Sequence, residues 1–353
     1  MRLRPAKKGL IGVDITSATV KLIELRQVGA QYQIESYAVR PLREGAVVER
    51  RIRDMGEVAD ALRRAVESAR PASRLAVAAV PASAAITKTL TFPASLNDDE
   101  IEARIQLESD KHIPFPFSEV ALDFQRLGLN ARYGDQQDVL LVACRQQDVN
   151  QLTDALRQAG LTPAAVDVET FAMERAFNEL RHQLPPAAGD DDCVALVDIG
   201  ATMNAFHVLR GGRIIYSRDT VFGGRQLTEE IRMRYGLTLE EAGLAKKRGG
   251  LPEDYRTSVL APFIETLVQQ VGRSLQLYYT AGRKHEVRRM VLAGGSSVIP
   301  GLAERLAQES AMQVVIANPF LRMRINPRID VQTLASDAPA MLTACGLAMR
   351  SPA

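Results

Sequence analysis

The chain has 353 residues, of which 46% are hydrophobic and 24% charged, and its 44 basic and 42 acidic side chains leave a net charge of +2. This length predicts more than one domain, and the near-neutral balance excludes a bulk electrostatic footprint for nucleic acid or an anionic membrane. Three distant cysteines (Cys144, Cys193, Cys345) and four scattered histidines (His112, His182, His207, His285) exclude a disulfide framework and a zinc site, and fit a reducing cytoplasm.

The N-terminus carries Arg2, Arg4, Lys7 and Lys8, but the apolar run Leu10 to Val13 stops at Asp14, too short for a signal-peptide core. No apolar run reaches the length of a membrane span. Leu10–Ile15 and Thr19–Leu25 read as two strands joined by the polar turn Thr16-Ser17-Ala18. The cluster Arg50, Arg51, Arg53, offset by Glu49 and Asp54, reads as a solvated face. Met55, Val58, Ala59, Leu62, Val66 and Ala69 fall at helical spacing ahead of Pro71. A buried strand is expected over Leu75–Val80.

The next stretch predicts a strand at Ile86–Phe92, then a helix opened by Asn97 with Glu100 as capping-box partner and stopped by Pro114. Val120–Leu127 and Asp138–Cys144 read as strands. Val149, Leu152, Leu156 and Ala159 line a helix ended by Gly160, and Leu161–Val168 returns as a strand. The order β-α-β-β-α-β predicts an inserted ferredoxin-like module over 86–168. The stretch Arg181 to Asp192, with Pro185-Pro186 and three aspartates, reads as a linker.

The opening pattern then recurs: Ile11-Gly12-Val13-Asp14-Ile15 is echoed by Ala195-Leu196-Val197-Asp198-Ile199-Gly200, about half a chain away. Two halves that each open with an apolar strand ending in Asp predict a duplicated α/β fold around a central cleft. Each half offers a turn of small residues (Thr16, Ser17, Ala18; Gly200, Ala201, Thr202) whose successive amides form an anion-binding nest. Asp14 and Asp198 precede these turns, where carboxylates suit a hydrated Mg²⁺. Lys21 lies one strand on and reaches toward a phosphate as a point charge. Met290-Val291-Leu292-Ala293 runs into Gly294-Gly295-Ser296, where missing side chains let a flat ring or sugar lie against backbone. Taken singly, each piece also has a purely structural reading: an Asp capping its own turn, or Gly-Gly as a helix-entry turn.

Together and in this order, these segments resemble the two phosphate loops and the adenosine loop of the actin superfamily, over nearly the whole chain. Gly224-Arg225-Gln226-Leu227-Thr228 resembles the stretch after the second phosphate loop, and Val166–Phe177 and Met341–Met349 resemble the two interdomain helices. The placement of the insertion resembles FtsA and the type IV pilus assembly family PilM. The phrases His112-Ile113-Pro114-Phe115, Leu122-Asp123-Phe124 and Ala159-Gly160-Leu161 are similar to the PilM family.

The resemblance implies an actin-like duplicated ribonuclease-H-type fold, divided as residues 1–85 (first half), 86–168 (insertion), 169–192 (connecting helix and linker), 193–337 (second half) and 338–353 (returning helix). It implies ATP and Mg²⁺ as ligands, with Asp14 and Asp198 facing the metal and the amides of Thr16, Ser17, Ala201 and Thr202, beside Gly200, facing phosphates. Lys21 would bind phosphate, and Gly294, Gly295, Ser296 and Lys246 would line adenosine. Glu169 would orient the attacking water of, at most, a slow hydrolysis. Lys246 with Lys247 also reads as an exposed basic pair, and Glu169 as a helix N-terminal acid. The sequence departs from the superfamily pattern at Thr16 and Ala201, where glycines are usual, and at Gly243, where a ribose-binding glutamate often stands.

The family resemblance implies capture of the cytoplasmic N-terminal peptide of a bitopic inner-membrane protein, PilN, in a groove within Ile86–Leu127. Phe92, Phe115, Phe117 and Phe124 are candidates to line it. Membrane contact would then be indirect and peripheral, from the cytoplasmic side, with other pilus proteins and self-association as further contacts. Two alternatives stay open. A small-molecule kinase of the same superfamily would need an acceptor site, for which there is no motif. An FtsA-like filament protein is expected to end in an amphipathic helix, and the ending Arg350-Ser351-Pro352-Ala353 is not one.

Overall fold

The computed structural model describes residues 9–186, 193–282 and 285–350. The basic residues at the N-terminus, the aspartates of the 181–192 linker and residues 351–353 lie outside them. The first half opens with β1 (Leu10–Ile15), β2 (Thr19–Val28) and β3 (Gln31–Pro41), an antiparallel meander. A short hairpin of β4 (Val47–Val48) and β5 (Arg51–Ile52) leads to α1 (Met55–Ala69) and β6 (Leu75–Val80). Asp54 caps α1 by accepting from Glu57 N–H, and Arg70, in the left-handed region, ends it just before Pro71.

β7 (Ile86–Pro93), α2 (Asp98–Leu107), α3 (Ser109–His112), β8 (Val120–Leu129) and β9 (Gln136–Arg145) follow, then α4 (Gln146–Gln158), β10 (Thr162–Val168) and α5 (Glu169–Leu180). The second half comprises β11 (Cys193–Ile199), β12 (Asn204–Arg210), β13 (Arg213–Thr220), α6 (Gly224–Tyr235), α7 (Leu239–Arg248), α8 (Ala261–Thr280), β14 (Val287–Ala293), α9 (Leu302–Ser310) and β15 (Gln313–Ile316). β16 (Arg324–Ile325), α10 (Val331–Asp337) and α11 (Leu342–Ala348) return to the first half.

The two large sheets share one topology. In the first the order is β10-β6-β1-β2-β3-β16, and in the second β15-β14-β11-β12-β13. Each has an antiparallel meander whose first strand also pairs in parallel with a later strand. The repeated Asp-ending strands are therefore the central strands β1 and β11. Both are covered on both faces, which is why each reads as a continuous apolar run. One face of the second sheet packs on α6, α8 and α9 through Phe206, Leu227, Phe263 and Leu302. Its other face packs on α5 through Met173, Phe177 and Leu196. α1 and α4 cover one face of the first sheet and α11 the other.

α5 and α11 cross between the sheets at backbone distance. A Cβ on Gly346 would overlap the Ala172 carbonyl oxygen, and one on Gly12 would overlap that of Ala344. Arg175 Nε donates to Gly346 O at 2.8 Å, and Asp167 accepts from Arg175 and lies 3.0 Å from Arg350. The two connecting helices are thus tied to each other and to the end of β10 at one point.

The insertion departs from the expected split βαβ. Its own sheet has three strands, β7-β9-β8, all antiparallel, with α2 on one face through Phe92, Ile101, Ile105, Val139 and Leu141. β10 instead runs parallel to β6 in the first large sheet, from Thr162 opposite Leu75 to Val168 opposite Val80. α4 goes with it, because Ala155, Leu156 and Leu161 fill the core beneath α1. The order β-α-β-β-α-β states which elements exist and not which edges pair. Here β7 and β8 occupy both edges of β9. The helix opened by Asn97 has the expected capping box but breaks at Glu108, well before Pro114.

Candidate functional site

The turns of the β1–β2 and β11–β12 hairpins face each other across the cleft. Thr16 replaces the usual glycine without a left-handed backbone. Its N–H donates to Thr19 O at 2.9 Å, and its hydroxyl accepts from Thr19 N–H at 3.2 Å. The side chain thus closes the turn that a glycine would otherwise loosen. One expectation is corrected: the Thr16 amide is spent inside its own hairpin and does not face the cleft as a donor. The Ser17 amide makes no hydrogen bond among the described residues. In the second turn Gly200 N–H donates to Met203 O at 2.9 Å, and the amides of Ala201 and Thr202 likewise make none. Gly200 and Ala201 carbonyls accept from the Gly224 and Arg225 amides, at 3.0 and 2.8 Å, fixing the start of α6 against this turn. Ser17 Oγ and Thr202 Oγ1 lie 2.8 Å apart and join the two turns.

Beneath the turns is a charged cluster. Lys21, 9% exposed, sits 2.7 Å from Asp14. Burial alone would lower its pKa, but Asp14 first, then Asp198 and Glu169, reverse that and raise it. Burial pushes the Asp198 carboxyl up, and the negative Asp14 adds to this against the opposing Lys21. Glu169, at the first position of α5, is raised to about 7, mainly by burial, with Arg50 pulling the other way.

Arg50 is the residue that sequence reasoning misplaced. The expectation of a solvated Arg50-Arg51-Arg53 face fails for Arg50, which turns inward. It donates from Nη1 to Glu169, and its Nε lies 3.9 Å from Asp219 on β13 of the other half. Asp219 was missed as well. Both lie in segments with no motif, and no spacing rule marks the tip of a hairpin as cleft-facing. The cluster as a whole sets four carboxylates (Asp14, Asp198, Glu169, Asp219) against two cations, Lys21 and Arg50. That surplus of negative charge, with the upward shifts of Asp198 and Glu169, fits a site that takes a cation. Among the described residues no group of three or more His, Cys, Asp or Glu forms a ready metal cage.

The remaining expected residues gather on the far side of the second turn. Gly294 has φ 88°, and a Cβ there would overlap Asp198 Oδ1 and Ile199 O, so only glycine fits. Gly295 is exposed at the lip. Ser296 is buried, with Oγ donating to Gly200 O at 3.1 Å and N–H donating to Ile199 O. Lys246 is part-buried while Lys247 is exposed. Lys246 Nζ donates to Gly224 O at 2.8 Å and Thr228 Oγ1 at 2.7 Å. Burial, with Lys247 adding, lowers its pKa to about 8. Its partners are neutral. Gly243 lies on the same helix, a turn before Lys246.

In the insertion, Phe92 and Phe124 belong to the core under α2, and Arg145 stacks 4.2 Å over Phe115, leaving Phe117 exposed. Strand alternation puts Thr87, Thr89, Leu140, Val142 and Gln125 on the face opposite α2. No helix among the described residues is long and apolar enough to cross a membrane.

Two sheets of one repeated topology, closed over a cleft with paired hairpin turns and a glycine-led third loop, define an actin-like fold. A family model described as type IV pilus assembly protein PilM matches residues 12–352, and the chain belongs to that family. A solved structure titled as a PilM–PilN type IV pilus biogenesis complex is similar over 97% of this chain and 98% of its own, with 28% identity and a TM-score of 0.77. Ethanolamine utilization protein EutJ from Carboxydothermus hydrogenoformans shares the fold at a TM-score of 0.55 and 16% identity, over 99% of this chain and 91% of its own. EutJ of Escherichia coli (strain K12) is 29% identical over 157 residues, 43% of this chain. The match spans 53%, about half, of that curated relative's length.

Proposed function

We propose that the chain is a nucleotide-linked scaffold of type IV pilus assembly that holds a short peptide of a membrane-anchored partner, PilN. The observation that carries the nucleotide part is the pair of facing turns with uncommitted amides at Ser17, Ala201 and Thr202 above Asp14 and Asp198. In this reading those amides bind the phosphates of ATP. Asp14 and Asp198 hold a hydrated Mg²⁺, which supplies charge neutralisation when bound. Lys21 pairs with Asp14. Gly294, Gly295, Ser296 and Lys246 take the adenosine side. Glu169, its carboxyl raised by burial and tied to Arg50, suits slow hydrolysis at most.

The peptide part rests on the end-to-end similarity to a chain of a PilM–PilN complex. The open face of the inserted sheet, with Thr89 and Leu140 at its centre and Val142 leading to the junction with the first half, is the surface we assign to it. A half-covered sheet offers alternating pockets and edge backbone to an extended peptide. We draw the inserted module at 86–145, with 146–168 in the first half. Capture of a peptide from an inner-membrane protein brings the chain to the cytoplasmic face of that membrane without a span of its own.

Calorimetric titration with Mg·ATP, and then with the N-terminal cytoplasmic peptide of the partner, tests both parts. Binding of both supports the scaffold. Peptide binding without nucleotide binding removes the nucleotide part, and binding of neither leaves only the family and the fold.

A further inference from the structure

The β4–β5 hairpin holds two side chains in an unfavourable backbone. Val48 pairs with Arg51, so Glu49 and Arg50 are the central residues of a two-residue turn, with φ of 50° and 61°. A turn with positive φ at both positions favours Asn-Gly or Gly-Gly, and neither Glu nor Arg is suited to it. Glu49 points to solvent. Arg50 crosses the cleft to Glu169 and Asp219. Only one of its hydrogen bonds is made to these two, since 3.9 Å to Asp219 is too long. The buried Nε makes no hydrogen bond. Backbone strain and a buried donor without an acceptor both mark sites kept for function.

We propose that Arg50 reads the terminal phosphate of the bound nucleotide and sets preference for a triphosphate over a diphosphate. This rests on the nucleotide reading above. The other cations of the cleft are committed: Lys21 to Asp14, Arg225 to Glu44, and Lys246 to Gly224 and Thr228. Arg50 belongs to the phosphate end, because its partner Asp219 pairs with Ala205 just past the second turn, whereas Lys246 and Ser296 gather behind that turn. A guanidinium fork can keep Glu169 on one nitrogen while its other N–H groups meet a phosphate oxygen. The same arginine stands between Glu169, on the first connecting helix, and Asp219, in the second half. A ligand that engages it acts on both.

The test is calorimetry with Mg·ATP and Mg·ADP on the wild type and on Arg50→Gln, Arg50→Lys and Arg50→Gly. The wild type should favour ATP. Arg50→Gln should lose about tenfold or more in ATP affinity, as loss of a charged hydrogen bond predicts, with ADP affinity held within about twofold. Arg50→Lys should recover part of the ATP preference. Arg50→Gly relaxes the turn, so it should unfold at a higher temperature than Arg50→Gln yet show the same loss of preference. An unchanged ATP-to-ADP ratio in the Gln and Gly variants overturns the proposal while leaving nucleotide binding intact, and so does an equal loss of both nucleotides. A wild type that binds neither overturns the nucleotide reading and this proposal with it.

Discussion

Ser17 Oγ and Thr202 Oγ1 stand 2.8 Å apart, so the turn of one half is bonded hydroxyl to hydroxyl to the equivalent turn of the other. Arg50 with Asp219 and Arg225 with Glu44 add ion pairs across the same cleft. Ser17→Ala and Thr202→Ala should each lower stability by about 1 kcal/mol, the net value of one part-buried hydrogen bond. The double variant should cost little more than either single one. Denaturant unfolding of all four forms gives the coupling directly, and additive losses would mean that the bond is not formed in solution.

Asp14 and Asp198 occupy equivalent strand ends but differ electrostatically. Asp14 is neutralised by Lys21, whereas Asp198 has no ion pair among the described residues and its carboxyl is pushed up. Asp14→Asn strands a buried ammonium and should destabilise by roughly 3 kcal/mol. Asp198→Asn removes a buried carboxylate with no direct ion pair and should leave stability unchanged or slightly raised. Both should weaken Mg·ATP binding. Thermal unfolding beside calorimetry separates the two effects, and full Mg·ATP affinity in Asp198→Asn would remove that residue from the site.

Two buried groups give opposite dependences on pH. Burial first, and then Arg50, lower the His207 pKa to about 4, below its unfolded value of about 6.5. Folding therefore favours neutral imidazole, and its contribution, present above the unfolded pKa, is lost as pH falls from about 6.5 toward 4. The full loss is on the order of 3 kcal/mol. Glu169 is raised to about 7, so the folded state binds a proton more tightly than the unfolded chain. Its effect runs the other way: stability is favoured below about 4.5 and declines as pH rises toward 7. The wild type should therefore vary little between pH 5 and 7. Glu169→Gln should unmask the His207 loss on acidification. His207→Gln should leave stability rising as pH falls. Unfolding midpoints at pH 5, 6 and 7.5 test this, and parallel curves for all three proteins would contradict it.

Gly346 allows α11 to meet α5 at backbone contact, with Arg175 donating to its carbonyl. Gly346→Ala must separate the two connecting helices. It should cost about 3 kcal/mol or more, beyond what ordinary overpacking costs, because backbone cannot rotate away. Gly272→Ala, on α8 with open space around it, should be neutral or stabilising. Similar unfolding temperatures for the two variants would show that the helices do not cross this closely.

Much of the frame was legible because it depends on local pattern. The apolar strands ending in Asp14 and Asp198, the helical spacing from Met55 to Ala69, and the capping box of Asn97 and Glu100 all appear where their residues predict. The close approach of backbone at Gly294 was legible from its glycine pair. Thr16 was half legible: its difference from glycine was visible, but not that its own hydroxyl would close the turn.

By itself, the sequence determined the repeated strand-turn-strand units, the cleft that duplication implies, and membership of a family whose motifs run through nearly the whole chain. Tertiary structure decided which edge β10 joins, that Phe92 and Phe124 are core while Phe117 is not, and that Arg50 leaves a charged surface run to meet Glu169 and Asp219. Periodicity and turn chemistry act over a few residues and are written in neighbouring positions. Sheet pairing, burial of a charge and meeting of residues more than a hundred positions apart depend on how the finished layers pack, and no local pattern encodes them.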